Sequence, residues 1–252
     1  PGHKGLVSRD FDGRVRVLDG TVPEEALALL TLSAREREAT GALLGRRAKL
    51  LEDFVSENVF LLGKIDTAEK AGNKADVAWF ILEAVAKLKP VTKEGTLEQQ
   101  LAKALDKPNA DRLLSLVREY DRAAIKDRCS RVNKDGKLPS KFEAAAGLRV
   151  ESFGREIERA YKRLESSGEL GFRLIFQGVK LTDAQQDKVR ELMELHQRTT
   201  KGNATEKENA TLFMAILPHL SKEQAARAIA NIKGLEQGKP AKPVEPKKPK
   251  AM

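Results

Sequence analysis

Cysteine is almost missing from this chain: Cys129 is the only one in 252 residues. An internal disulfide and a thiolate metal cluster are both excluded. With no histidine near it in sequence, Cys129 reads as a small apolar side chain on a helix. Aromatic residues make up only 5% of the chain, against 33% charged residues. That mixture does not build a bulky β-sandwich core, but it suits slender helices with Leu, Ala, Ile and Val seams. No apolar run approaches the roughly 18 residues of a membrane span. A Walker loop, a dinucleotide fingerprint, a nucleophile elbow and a zinc-protease helix are all missing. His196 and His219 have no second histidine or cysteine at metal-ligand spacing. Scattered carboxylates alone nominate no general acid and base. The residues point to a non-enzymatic protein with no cofactor, no metal site and no transmembrane segment.

The formal charge is +9, but residues 239–252 hold +4 of it, with five Lys against Glu245. The remainder is mildly basic, with cations and anions interleaved. Glu151 with Arg155, and Glu158 with Lys162, have the i,i+4 spacing that supports exposed helices. A self-paired, solvated surface is the better reading than a phosphate-binding stripe. No aromatic stacking platform or recognition-helix cluster accompanies the charge, so nucleic acid is the weaker partner. The Lys/Pro tail still offers a competing reading, as the sequence-blind electrostatic arm of a nucleic-acid accessory protein. A structural scaffold without ligand is the third.

Along the chain, residues 1–22 read as an extended arm with one short alternating run, Val15-Arg16-Val17-Leu18. Residues 23–130 read as an N-terminal helical packet. A short helix opens at Pro23, followed by a long one whose stripe is Leu44, Ala48, Leu51, Val55, Val59 and Leu62. Gly72-Asn73 precedes a helix with Trp79, Leu82, Val85 and Leu88. Another carries Leu113, Val117, Tyr120 and Ala124. The turn-rich run 131–140 reads as the boundary between packets. Residues 140–234 read as a second packet. Its first helix holds Val150, Phe153, Ile157, Ala160 and Leu164 and ends at Gly168 and Gly171. Three shorter helices are expected at 182–199, 206–217 and 221–232. Between them Phe172, Leu174, Ile175 and Phe176 form an apolar connector assignable to neither helix nor strand. It reads either as an exposed contact surface for a client or, preferably, as a plug between packets. Residues 235–252 read as a disordered Lys/Pro tail. The fold expected is all-α: two packets of antiparallel helices with an arm and a tail.

Two loops have the acid-and-glycine offsets of a calcium-binding loop, Ser8 to Gly13 and Asn133 to Leu138. Asp19 stands at the twelfth position of the first, and Arg131 and Phe142 at the first and twelfth of the second, so both read as degenerate turns.

The most informative pattern is a phrase that occurs three times: Leu32-Ser33-Ala34-Arg35-Glu36, Leu181-Thr182-Asp183-Ala184-Gln185 and Leu220-Ser221-Lys222-Glu223-Gln224. It is a capping box, in which the hydroxyl accepts an N–H three residues on and the Glu or Gln reaches back to the cap's N–H. The residue four into each helix is Arg37, Gln186 or Ala225. No local hydrophobic staple can form there, so Leu32, Leu181 and Leu220 are expected to pack on neighbouring helices.

These residues resemble the LTXXQ-motif family, the CpxP and Spy group of bacterial periplasmic envelope-stress proteins. Leu181 to Gln185 matches the motif, Leu220 to Gln224 is a one-residue variant, and Leu32 to Glu36 is looser. The resemblance implies bent antiparallel helices, often as a homodimer, forming a cradle that holds unfolded polypeptide or another envelope component without ATP. It also implies a periplasmic or secreted location, and related members sense envelope stress or bind metals. In that family the motif is structural, so Leu32, Ser33, Glu36, Leu181, Thr182, Gln185, Leu220, Ser221 and Gln224 are expected to be architectural. The chain begins Pro1-Gly2-His3 without an initiator Met, which reads as a trimmed N-terminus.

Overall fold

The structure, a computed structural model, describes residues 5–132, 136–201 and 203–236, the side chain of Glu236 excepted. Twelve α-helices and one 3-10 turn, with no strand, make up its regular structure among the described residues. None of these helices is long and apolar enough to cross a membrane. Residues group into two compact units, Pro1–Phe54 with Val85–Ala160, and Val55–Ala84 with Tyr161–Met252. The units therefore do not part at 131–140, where turn residues suggested a boundary. Helix Lys141–Ser166, beyond that turn, gives its first twenty residues to the first unit. A breaker ends a helix; it does not decide which core the next helix joins.

In the first unit the arm folds back on itself. Gly13 takes the left-handed conformation (φ 73°), Asp10 N–H bonds Arg14 O, and Arg16 N–H bonds Ser8 O. One isolated bridge, Arg9 with Val15, is all the pairing the alternating run makes. Asp10 Oδ1 accepts the N–H groups of Asp12 and Arg14, closing the turn from within. Leu6 is buried in the unit's core and Tyr120 donates its hydroxyl to Arg16 O at 2.9 Å, so the arm is docked.

Helix α1 (Val22–Ala28) starts at the Thr21–Glu24 box and α2 spans Ala34–Glu57. α3 (Val59–Lys70) follows after Asn58 leaves helical geometry (φ −123°, ψ 21°), so the stripe read through Leu62 belongs to two helices. Asparagine competes for its own backbone and is a poor helix-interior residue. α4 is Lys74–Lys87 and α5 is Lys89–Thr92; α6 (Leu97–Lys103) opens with Gln99 accepting Thr96 N–H. α7 (Lys107–Cys129) begins with Pro108 in its first turn, where a missing N–H costs nothing. α8 is Lys141–Ser166. The core of the first unit is made by α1, α6 and α7 around Ala26, Leu97, Leu101, Leu113, Leu116, Val117 and Tyr120. Full burial of each large apolar side chain there contributes about 1.5–3 kcal/mol. Cys129, the last residue of α7, is half-buried.

In the second unit, Gly168 (φ 72°) turns the chain out of α8 and into α9 (Glu169–Ile175). The connector unassigned from sequence is therefore a helix. Gly171 lies inside it and does not end α8. α10 (Asp183–Thr200), α11 (Glu206–Ile216), the 3-10 turn Leu217–His219 and α12 (Lys222–Glu236) follow. Phe172, Phe176, Val189, Met193, Ile216 and Ala228 form their core. Asn231, buried on α12, donates to Ile175 O and Gln177 O at 2.8 and 2.9 Å, satisfying carbonyls that the end of α9 leaves open. The tail beyond 236, and Asn133 to Asp135 of the second acidic loop, lie outside the described residues.

Candidate functional site

The residues singled out from sequence fall at three places, and two of the three phrases meet. Gln185 Nε2 donates to Gln224 Oε1 at 3.0 Å, and Gln224 Nε2 donates to Gln185 Oε1 at 3.1 Å. Each Oε1 also accepts its own cap's N–H, from Thr182 at 3.0 Å and from Ser221 at 2.7 Å. Each Nε2 reaches the carbonyl just ahead of the other phrase, His219 O at 2.8 Å and Lys180 O at 2.7 Å. The starts of α10 and α12 are thus tied by a pseudo-symmetric clasp. Leu181 and Leu220, half-buried, pack on the core beside it.

The third phrase makes a different bridge. Glu36, only 4% exposed, accepts from Ser33 N–H and Ser33 Oγ, both at 2.8 Å. Its other oxygen accepts from Asp106 N–H at 3.1 Å and Asn109 Nδ2 at 2.9 Å, at the start of α7. These donors, led by Asn109, lower its pKa from 4.5 to about 2. Leu32 packs on the first unit's core.

Further boxes of the same chemistry, less the leading Leu, stand at Thr21–Glu24, Ser140–Glu143 and Thr205–Glu208. Each was legible as a hydroxyl residue three before a Glu. The box is therefore generic in this chain. The Thr96–Gln99 box also ends in an amide, so what sets Gln185 and Gln224 apart is that each amide donates to the other, which a carboxylate cannot do.

The connector is not an exposed contact surface. Phe172 and Phe176 are buried, their ring centroids 5.2 Å apart, while Leu174 and Ile175 are half-buried. The Arg190 guanidinium lies 4.2 Å from the Phe172 ring centre and pairs with Glu169, which also holds Arg173 at 2.9 Å. Exposed apolar side chains lie elsewhere in this unit: Trp79 at 68% and Leu82 at 65% on α4, with Leu195 and Met214 also exposed. Sequence periodicity groups Trp79 and Leu82 with the buried Leu88; only burial separates them.

The first unit holds a cavity of about 420 Å³ that the sequence reading does not anticipate. Val22, Leu97, Val117, Ile125, Ala145, Leu148 and Phe153 give it an apolar lining, and Arg47, Glu156, Tyr120, Asp121 and Arg155 add polar groups. Arg47 and Glu156, each 7% exposed, form a two-point pair at 2.6 and 3.1 Å, and Arg47 also donates to Val91 O at 3.2 Å. Burial raises the pKa of Asp121, helped by Glu98 and opposed by Arg149. Burial likewise raises Tyr120, against the charges of Arg155 and Arg128.

Arg155 departs from the spacing rule. Its i−4 neighbour Glu151 pairs instead with Arg128 of α7, at 2.5 Å. Arg155 Nε is buried without a hydrogen-bond partner among the described residues. A sequence signal for part of this site did exist: Arg47 falls four residues from both Leu43 and Leu51, on a buried stripe, where a cation calls for a buried partner. His196, half-buried, contacts Asn209 Oδ1 at 3.1 Å. Among the described residues, no group of three or more His, Cys, Asp or Glu is placed to hold a metal ion.

No family model, curated protein or solved structure matches this chain.

Proposed function

We propose that this chain is a non-enzymatic, extracytoplasmic binding protein of the LTXXQ type that holds partly unfolded polypeptide without ATP. The observation that carries the reading is the clasp between Gln185 and Gln224. It gives the motif's glutamine a donor role that a capping glutamate lacks, so the resemblance rests on a physical requirement beyond a cheap helix start. Polypeptide as the ligand is supported by Trp79 and Leu82, two large apolar side chains left in solvent on α4. The charged positions of that helix are of both signs: Lys74, Asp76, Glu83 and Lys87. No charge of partner is selected, as suits apolar, sequence-blind capture.

The test is light scattering of a thermally aggregating client with and without the protein, in ATP-free buffer. Suppression at near-equimolar ratio, weakened in Trp79→Ser/Leu82→Ser, is the expected result. No suppression at several-fold molar excess removes the reading.

A further inference from the structure

The cavity of the first unit belongs to a different unit from Trp79 and Leu82, and its chemistry differs. Its volume, about 420 Å³, lies in the range of small-molecule sites. Its lining carries three arginines, Arg47, Arg149 and Arg155, and three carboxylates, Glu98, Asp121 and Glu156, but the arginines are not equally partnered. Every nitrogen of Arg47 is engaged, with Nε and one terminal nitrogen on Glu156 and the other on Val91 O. Arg149 acts on Asp121, lowering a pKa that burial and Glu98 raise. Arg155 is left over. Its Nε–H is buried with no acceptor among the described residues, and a buried donor without a partner is destabilising. An oxygen brought in by a ligand relieves that cost; a guanidinium's fork matches carboxylate and phosphate oxygens, and the singly charged carboxylate is the one that suits a largely apolar lining.

We propose that this cavity binds a small monocarboxylate with an apolar body, its carboxylate on Arg155 and its body against Val117, Ile125, Leu148 and Phe153. Arg155 is the specificity residue. The inference stands apart from polypeptide binding and does not require it.

Isothermal titration of the full chain with decanoate, decanol and decylamine tests it. Decanoate is expected to bind one-to-one and at least about tenfold tighter than decanol, with decylamine weakest. Arg155→Met should bring decanoate to the level of decanol. Ala145→Phe, which fills the cavity and leaves every charge in place, should abolish both while the circular dichroism spectrum is kept. Should Arg155→Met fail to fold, Ala145→Phe still decides. Undiminished decanoate binding in Ala145→Phe, a preference for decylamine, or no saturable binding by the wild-type chain overturns the proposal. Trp79→Ser/Leu82→Ser should leave decanoate affinity unchanged, so failure here and failure of client holding are separate results.

Discussion

Gln185 and Gln224 each use one amide for three tasks: capping their own helix, holding the other glutamine, and closing a carbonyl that precedes the other helix. Substituting Gln185→Glu keeps the capping acceptor and deletes only the donor, so it separates the box from the clasp. The single variant should lose about 1–3 kcal/mol in urea unfolding, the worth of the two net hydrogen bonds that Nε2 donates. The double variant Gln185→Glu/Gln224→Glu sets two carboxylates in contact. It should lose more than twice the single value at neutral pH, then recover on acidification as one acid protonates. Strictly additive, pH-independent losses would show that the two glutamines do not act as a pair.

Glu36 gives the first unit an acid-sensitive joint. Its carboxylate pKa falls from 4.5 to about 2 on folding, chiefly through Asn109 and Ser33. A lowered acid stabilises the native state above the unfolded value, and that contribution is lost as pH drops through the folded one. Wild-type melting temperature should therefore fall between pH 4.5 and about 2, and the fall should be shallower in Glu36→Gln. Equal slopes in the two proteins would dissociate Glu36 from acid unfolding.

Arg47 and Glu156 make the buried ion pair of the cavity wall, with Phe153 5.8 Å beneath the guanidinium. Removing one partner strands the other charge in a dry site. Glu156→Gln or Arg47→Met should each cost about 3–5 kcal/mol, whereas Arg47→Met/Glu156→Leu should recover much of the loss. Denaturant midpoints of the three variants measure this. A double variant as unstable as the sum of the singles would assign the pair a stabilising role beyond mutual neutralisation.

The helices were legible because their signals are local. Hydroxyl-and-acid caps, Pro108 in a first turn and the Leu113, Val117, Tyr120, Ala124 stripe each act within a few residues. The division into units was not legible, since it depends on which core each end of α8 joins. Nor could spacing place Trp79 in solvent or Phe172 inside, because both lie on apolar helical faces and only partners distinguish them. The cavity escaped for the same reason. Arg155 has an acid four residues before it, and nothing local reveals that Glu151 turns to Arg128.

At Gly168, as at Gly95, backbone and neighbour both oppose a side chain. The Gly168 φ of +72° already strains any L-residue, and an added Cβ would come within 2.6 Å of Gln197 Oε1. Gln197 cannot readily retreat, because its Nε2 donates to Glu165 O and Ser166 O at 2.8 and 2.7 Å, holding the end of α8 to α10. Gly168→Ala should thus lose about 1–2 kcal/mol from backbone strain, plus part of the Gln197 staple. Gln197→Ala/Gly168→Ala should lose less than the sum of the single losses, since the clash vanishes with the amide. Urea unfolding of the three proteins checks the coupling. An additive double variant would mean that backbone strain alone accounts for the glycine.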